Sequence, residues 1–207
     1  MAEPQAAESL SRRERRKLEV RGRILEAAFA LFEAGGVAAT RVADICERAD
    51  VAEKTFFNHF PTRQHLQRAI AEIALEELLA DIEQARKLPG STAERLAYLF
   101  KSIAKNALDA GPMHREVLAE LVQFAHQAGT ESEQARQLTD ALGALVAAGV
   151  ARGDVTRADD PDTLTDALLG TFYALMLNFA NLEDYPLRER ADAAARFLGR
   201  AFAGERS

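Results

Sequence analysis

The sequence predicts an all-α protein of about nine helices. Apolar residues recur at spacings of three and four through almost the whole chain, and no segment shows the two-residue alternation of a strand. Glycine, proline and capping sequences interrupt these apolar runs at intervals that suit single helices. A chain of 207 residues, 48% of them hydrophobic, also has ample material for an apolar core.

The first predicted helix runs from Ser11 to Ala34. Its apolar positions follow helical spacing, and the pair Gly35-Gly36 ends the run. Ser11 and Glu14 have the spacing of a capping box, in which each side chain bonds the other residue's backbone N–H.

Two short helices follow, over about 41–48 and 52–59. Thr40 is the predicted N-cap of the first of them, because its hydroxyl can accept from a backbone N–H of the first turn. Asp50 falls in the tight connection between the two helices, where aspartate tolerates a left-handed conformation. The segment therefore reads as a helix-turn-helix.

The second short helix has two unlike sides. At about 100° per residue, Phe56 and Phe60 lie within ~40° of each other, whereas Lys54 and Asn58 point roughly the opposite way. A helix this short cannot bury its own apolar side, so it needs a scaffold behind it and a partner in front. A helix-turn-helix recognition helix meets both needs by placing polar side chains in the DNA major groove.

Six more helices are predicted by the same signals. Their expected ranges are about 62–87, 91–110, a segment ending near 127, 130–151, 160–181 and 186–204. The start signals are two further capping boxes and one N-cap followed by a proline, namely Ser91 with Glu94, Thr130 with Glu133, and Asp160 before Pro161.

Charge divides the chain into two parts. The whole chain carries −6, but residues 1–65 hold 11 basic and 10 acidic side chains, and residues 66–207 carry −7. We expect 1–65 to be a DNA-binding domain with a basic N-terminal extension and 66–207 to be a second helical domain. Within residues 12–23, seven basic side chains accompany two acidic ones. The candidate phosphate contacts there are Arg12, Arg13, Arg16 and Lys17, and the alternative is a solvated helix start with no role in DNA binding.

Several classes of function find no support in the sequence. No apolar run is long enough to cross a membrane, and the N-terminus lacks a signal sequence. The single cysteine, Cys46, fits a buried position in a reducing cytoplasm. The four histidines form no zinc motif, and no phosphate-binding loop or nucleophile elbow is present. We therefore expect a cytoplasmic protein that is not an enzyme and has no cofactor or metal.

Residues 24–70 resemble the N-terminal domain of the TetR family of transcriptional regulators. The matching segments are ILEAAFALFEAGG, the helix T-x-V-A-D-I-C-x-R-A, and the recognition segment TFFNHFPTR, and they follow one another without a gap. The resemblance covers about a quarter of the chain, and residues 66–207 have the size of the family's effector-binding and dimerisation domain.

The resemblance implies a homodimer, usually a repressor, that binds a palindromic double-stranded DNA operator and leaves it when a small effector binds. Dimerisation is physically reasonable because one recognition helix reads few base pairs, whereas two read half-sites one helical turn apart. Because few buried charges are foreseeable in the second domain, we expect an apolar or amphipathic effector. The alternative is a helical protein-interaction module that has lost sequence-specific DNA binding.

By position in the family motif, eight residues are expected to contact DNA: Thr40, Arg41, Lys54, Thr55, Phe57, Asn58, His59 and Arg63. Asn58 is expected at a base edge and His59 and Arg63 at phosphates. Phe57 stands where tyrosine is common in the family, so a hydroxyl that usually bonds a phosphate is missing. We expect its ring to lie against a sugar or a thymine methyl group instead. Ala52 in place of serine and the acidic Glu53 also depart from the pattern, and together these changes keep the interaction-module alternative open.

The second domain offers two sets of candidates, and each set could equally be core. The candidates for an effector pocket are Phe100, Met113, Phe124, His126, Tyr173 and Met176. The family's dimer interface is formed by the last two long helices, where the candidates are Leu164, Leu168, Phe172, Leu175, Phe179, Phe197 and Phe202.

Overall fold

The computed structural model describes residues 11–109 and 133–204, and these are helical throughout except for short connections. The all-α prediction is confirmed. Eight helices lie within the described residues: α1 Arg12–Gly35, α2 Val42–Ala49, α3 Glu53–His59, α4 Arg63–Lys87, α5 Thr92–Asp109, α6 Glu133–Arg152, α7 Pro161–Asn181 and α8 Leu187–Ala201. The helix predicted to end near residue 127 lies outside them.

The chain divides into two compact units between Gln67 and Arg68. In the first unit α1 packs on α2, and α2 packs on α3. The side chains at its centre are almost fully buried, and the largest are Ile24, Phe32, Ile45, Phe56, Phe60 and Leu66. Cys46 is buried among them, as its apolar neighbours in the sequence predict, and burial raises the pKa of its thiol.

The two predicted capping boxes that lie within the described residues both form. The Ser11 N–H donates to a Glu14 carboxylate oxygen at 2.8 Å, and the Glu14 N–H donates to the Ser11 hydroxyl at 3.2 Å. Ser91 and Glu94 make the same pair of bonds, at 2.7 and 3.3 Å. These bonds satisfy N–H groups that have no partner within the helix, so they fix where α1 and α5 begin.

At the start of α7, the Asp160 carboxylate accepts from the Thr163 N–H at 3.4 Å, and Pro161 is the first helical residue. The N-cap prediction for α7 is therefore confirmed. The capping box predicted at Thr130 falls outside the described residues.

The predicted N-cap of α2 is wrong by one residue. Arg41, rather than Thr40, precedes the first helical residue, and its N–H donates to the Asp44 carboxylate at 3.2 Å. The Thr40 hydroxyl instead donates backwards to the carbonyl of Gly36 at 2.9 Å, and Thr40 is buried. A threonine hydroxyl can bond a carbonyl four residues earlier as readily as an N–H ahead of it, and here that bond closes the connection between α1 and α2.

The connection between α2 and α3 is a tight turn at Asp50, whose φ of 52° is the left-handed conformation expected there. The N–H of Val51 donates to the carbonyl of Cys46 at 3.0 Å and so closes the end of α2. Only three residues separate α2 from α3. The short turn holds α3 in a fixed position against α2.

The second unit has one continuous apolar core. Side chains from α5, α6, α7 and α8 fill it, with Ile82 and Ala85 contributed by α4. The segment after α6 is tied to the end of α8 by a single antiparallel bridge between Val155 and Ala203, and the Thr156 N–H donates to the Phe202 carbonyl at 2.8 Å.

Candidate nucleic-acid interface

Helix α3 has the two unlike sides that its spacing predicts. Phe56 and Phe60 are almost completely buried in the first unit, whereas Lys54, Phe57 and Asn58 are exposed. The exposed residues follow one another around the solvent side of two helical turns, and the buried phenylalanines hold the helix from behind. The geometry is that of a short helix presented outwards by a rigid scaffold.

Phe57 is the unusual member of this exposed side, with 44% of its surface accessible. Its ring packs edge to face against the buried ring of Phe56, with centroids 5.3 Å apart and planes at 85°. Because an edge-to-face contact favours one ring orientation, the exposed Phe57 ring is held in a limited range of orientations.

Basic side chains of α1 lie beside the end of α3. The Arg21 guanidinium sits 4.5 Å above the centroid of the Phe60 ring, a cation–π contact that joins the two helices. His59 is half-buried, and its pKa is lowered first by burial and then by the charges of Lys17 and Arg21. This concentration of positive charge suits an anionic partner.

The candidate phosphate contacts of α1 all project into solvent. Arg12, Arg13, Arg16 and Lys17 are exposed, as is every other residue from Ser11 to Glu19. Their exposure leaves them accessible to DNA, and their role as phosphate contacts stays a prediction.

The two arginines among the predicted contact residues are already engaged, one with a carboxylate and the other with backbone carbonyls. The Arg41 guanidinium forms a two-pronged pair with Asp44 at 3.0 and 2.7 Å, which lowers the pKa of the Asp44 carboxyl. A phosphate would have to compete with this carboxylate for Arg41. The Arg63 guanidinium donates to the carbonyls of Thr40, at 2.7 Å, and Val37.

Thr40, also predicted to contact DNA, has a buried side chain, and its hydroxyl donates to the carbonyl of Gly36. Thr55 is half-buried. Of the eight predicted residues, Lys54, Phe57 and Asn58 are therefore the ones that α3 presents most openly. The sequence spacing had already placed Lys54 and Asn58 together.

The two departures at the start of α3 are both exposed. Ala52 occupies the N-cap position and supplies no side-chain hydrogen bond. Glu53 lies in the first turn of α3. The pKa of the Cys46 thiol is raised mainly by the burial of Cys46, and the negative charge of Glu53 raises it further. A carboxylate in the first turn suits the positive end of the helix dipole. Glu53 therefore has a local role that does not depend on a DNA contact.

In the second unit, the predicted effector contacts that lie within the described residues belong to the apolar core or pack against it. Phe100 and Met176 are buried in the core, and Tyr173 is half-buried, with the pKa of its hydroxyl raised by burial. The other three, Met113, Phe124 and His126, lie outside the described residues. The effector site stays a prediction.

The residues predicted at the dimer interface are, with one exception, core residues of the chain itself. Leu164, Leu168, Phe172, Leu175, Phe179 and Phe202 are each no more than 8% exposed. A side chain already enclosed by its own chain has almost no surface to offer a second copy, and the structure therefore gives these six residues a place in the core. The exception is Phe197 on α8, which is 61% exposed.

A stripe of small and apolar residues is nonetheless exposed along α7, and it is not among the predicted interface residues. Ala167, Gly170, Ala174 and Leu177 are exposed and recur at spacings of three and four along one side of the helix. The signal was present as small residues at helical spacing, but the larger apolar residues of the same helix concealed it.

Among residues 11–109 and 133–204, no group of histidine, cysteine or acidic side chains is arranged to hold a metal ion. No helix in the same ranges is long and apolar enough to cross a membrane.

Comparison with known proteins agrees with this geometry. Residues 24–70 match the model of the bacterial regulatory proteins of the tetR family. The HTH-type transcriptional repressor KstR of Mycolicibacterium smegmatis is 28% identical over 193 residues, which cover 92% of this chain and 89% of that protein.

Solved structures of low sequence identity share the fold. A TetR-family regulator from Pectobacterium atrosepticum has a TM-score of 0.73 at 19% identity, covering 93% of this chain and 95% of the other. FadR of Thermus thermophilus, a TetR-family repressor solved with lauroyl-CoA, has a TM-score of 0.64 at 19% identity, covering 90% and 97%. The family match over residues 24–70 and the similarity to KstR over most of the chain, together with the helix-turn-helix of α2 and α3, identify the chain as a member of the TetR family of transcriptional regulators.

Proposed function

We propose that this protein is a homodimeric repressor that binds a palindromic DNA operator through α3 and is released by a small effector bound to its second unit. The observation that carries the proposal is the outward face of α3. Lys54, Phe57 and Asn58 are exposed there, on a helix that the buried Phe56 and Phe60 fix to the first unit.

Each exposed side chain suits a different part of a DNA duplex. The Asn58 amide has the donor and acceptor needed to pair with the N6 and N7 edge of adenine, and Lys54 can neutralise a phosphate or donate to a base. The basic residues of α1 add attraction to phosphates that does not depend on sequence. The net charge of −6 does not oppose this arrangement, because the acidic excess lies beyond residue 65.

The dimer is proposed to form through the exposed apolar sides of α7 and α8. Ala167, Gly170 and Ala174 are exposed and small enough for a second helix to approach closely, and the space beside Gly170 is open within 4 Å. Leu177 adds an exposed apolar side chain to the same stripe. Phe197 contributes an exposed aromatic ring on the neighbouring helix. A two-fold contact of this kind places the same side chains on both subunits and pairs two recognition helices with two half-sites.

The effector is proposed to be apolar or amphipathic. The second unit has a core of aliphatic and aromatic side chains, which favours a largely apolar ligand with few polar anchors. The lauroyl-CoA bound by the T. thermophilus repressor is a ligand of this amphipathic kind. Release requires that the effector bind the conformation with low DNA affinity more tightly than the one with high affinity.

The family membership favours a regulator that acts by binding and disfavours an enzyme. It also disfavours an interaction module that has lost DNA binding, because relatives matched over most of the chain are named as repressors. Ala52, Glu53 and Phe57 are consistent with a changed mode of contact, which needs no loss of DNA binding.

The test is to select duplexes from a random library with the full-length protein and to measure affinity against salt concentration. We expect enrichment of an inverted repeat whose half-site centres lie about one helical turn apart. Asn58→Ala should lower the preference for the enriched sequence by about tenfold and leave non-specific binding unchanged, because only a base contact is removed. Gln64→Ala, at an exposed position of α4, is the control. An Asn58→Ala protein that discriminates sequences as well as the parent would remove α3 as the reading helix.

A further inference from the structure

The first residue of α4 is bonded to the connection between α1 and α2, more than twenty residues earlier in the chain. The Arg63 guanidinium donates through one terminal nitrogen to the carbonyl of Thr40 at 2.7 Å and through the other to the carbonyl of Val37. The two acceptors lie just after the end of α1 and just before the start of α2.

This connection is held closely by its own contacts as well. Val37 and Thr40 are buried, the Thr40 N–H donates to the Val37 carbonyl at 3.3 Å, and the Thr40 hydroxyl donates to Gly36. Gly36 turns the chain with a φ of 81°. Arg63 adds a bond from outside the segment and so fixes it to a distant helix.

Arginine is suited to this task in a way that lysine is not. Its planar guanidinium presents several N–H donors in fixed directions, so one side chain can serve two carbonyls at once. A lysine ammonium is a single compact centre on a flexible stem, and it cannot hold both acceptors in the same geometry. Hydrogen bonds from a charged donor are also stronger than those between neutral groups.

We propose that Arg63 is a positioning residue, which fixes the start of α4 to the α1–α2 connection and so sets the placement of α2 and α3 for DNA. Leu66, one turn further along α4 and fully buried, anchors the same end of the helix in the first unit. In this role the Arg63 guanidinium binds backbone carbonyls and does not neutralise a DNA phosphate. This inference rests on the proposed function and adds a residue that acts on DNA binding without touching DNA.

The two roles differ in their salt dependence. A residue that neutralises a phosphate contributes to counterion release, so its removal flattens the plot of log affinity against log salt by about one unit of slope. A positioning residue contributes no released counterion. Its loss lowers affinity at every salt concentration and leaves the slope unchanged.

The experiment compares full-length Arg63→Lys and Arg63→Gln with the parent on a selected operator and on an unrelated duplex, over a range of salt. We expect both variants to bind the operator about tenfold more weakly or worse, with the parental slope, because neither can bond two carbonyls. A phosphate contact predicts instead that Arg63→Lys keeps its affinity and that Arg63→Gln flattens the slope. That result would overturn the inference.

Two controls separate positioning from simple stabilisation. Gln64→Ala should bind as the parent does, and circular dichroism should show each variant to be folded at the temperature of the binding assay. If Arg63→Lys binds normally and only its melting temperature falls, Arg63 is a stabilising contact alone and the inference is wrong. If the parent itself binds no selected duplex, the proposed function is overturned and the inference with it.

Discussion

At the scale of single residues, the exposed face of α3 combines a polar amide, a cation and an aromatic ring. Of these three, the ring of Phe57 has no hydrogen-bonding group, so its polarity alone does not indicate which part of the DNA it contacts. Its edge-to-face packing on Phe56 limits how far it can move away from whatever it meets. In a major groove, the apolar group within reach of such a ring is the 5-methyl of thymine.

We therefore predict that Phe57 senses a thymine methyl. Replacing one operator thymine by deoxyuridine should weaken binding of the parent by about fourfold, the cost of one methyl group removed from an apolar contact. The same replacement should leave the affinity of Phe57→Ala unchanged. Fluorescence anisotropy on the two duplexes measures both effects. A deoxyuridine outside the half-sites is the control, and equal sensitivity of both proteins would exclude the contact.

At the scale of helices, the start of each element was predictable where a local signal decides it. Ser11, Ser91 and Asp160 all cap the helices that follow them, because their partners lie three residues ahead. The role of Thr40 was not predictable in this way, because its hydroxyl donates to the carbonyl of Gly36, four residues earlier, and does not cap α2. The bond from Arg63 to the same segment joins residues more than twenty positions apart, and no spacing rule anticipates such a contact.

Helix α6 provides a test of packing at this scale. A Cβ at Gly149 would overlap the Thr92 hydroxyl and a Val155 methyl group, whereas a Cβ at Gly143, in the same helix, would lie 3.7 Å from Thr165. We expect Gly149→Ala to lower the free energy of unfolding by about 1–3 kcal/mol through overpacking.

Gly143→Ala is the matched control and should raise the free energy of unfolding by about 0.5–1 kcal/mol, since alanine orders a helix at less entropic cost. Denaturant titration followed by circular dichroism measures both. Equal changes in the two variants would show that α6 does not pack closely on the segment containing Val155.

At the scale of the whole molecule, the apolar side chains of α7 are divided between the chain's own core and the proposed partner. The larger ones, such as Leu168 and Phe172, turned out to be enclosed within the chain. Sequence alone could not make this division, because a helix that is apolar almost all round does not reveal which side its own neighbours cover. The exposed stripe from Ala167 to Leu177 became identifiable only once burial was known.

We predict that Phe197→Glu converts the dimer to a monomer, raising the dissociation constant of the dimer by about a hundredfold or more because a charge would have to be buried at its centre. Sedimentation velocity over a range of protein concentrations measures the change, and operator affinity should fall with it. Tyr98→Glu, an exposed aromatic position on α5, is the control. A Phe197→Glu protein that remains dimeric would place the interface elsewhere.

The exposed basic stretch of α1 has a consequence for how fast the protein finds DNA. A chain of net charge −6 is repelled by a duplex in most orientations, but seven basic side chains in residues 12–23 create one favourable approach. We therefore expect encounters with DNA to be oriented before any contact forms, so that a larger fraction of collisions is productive. Arg12 and its neighbours should then raise the association rate even where they make no lasting bond.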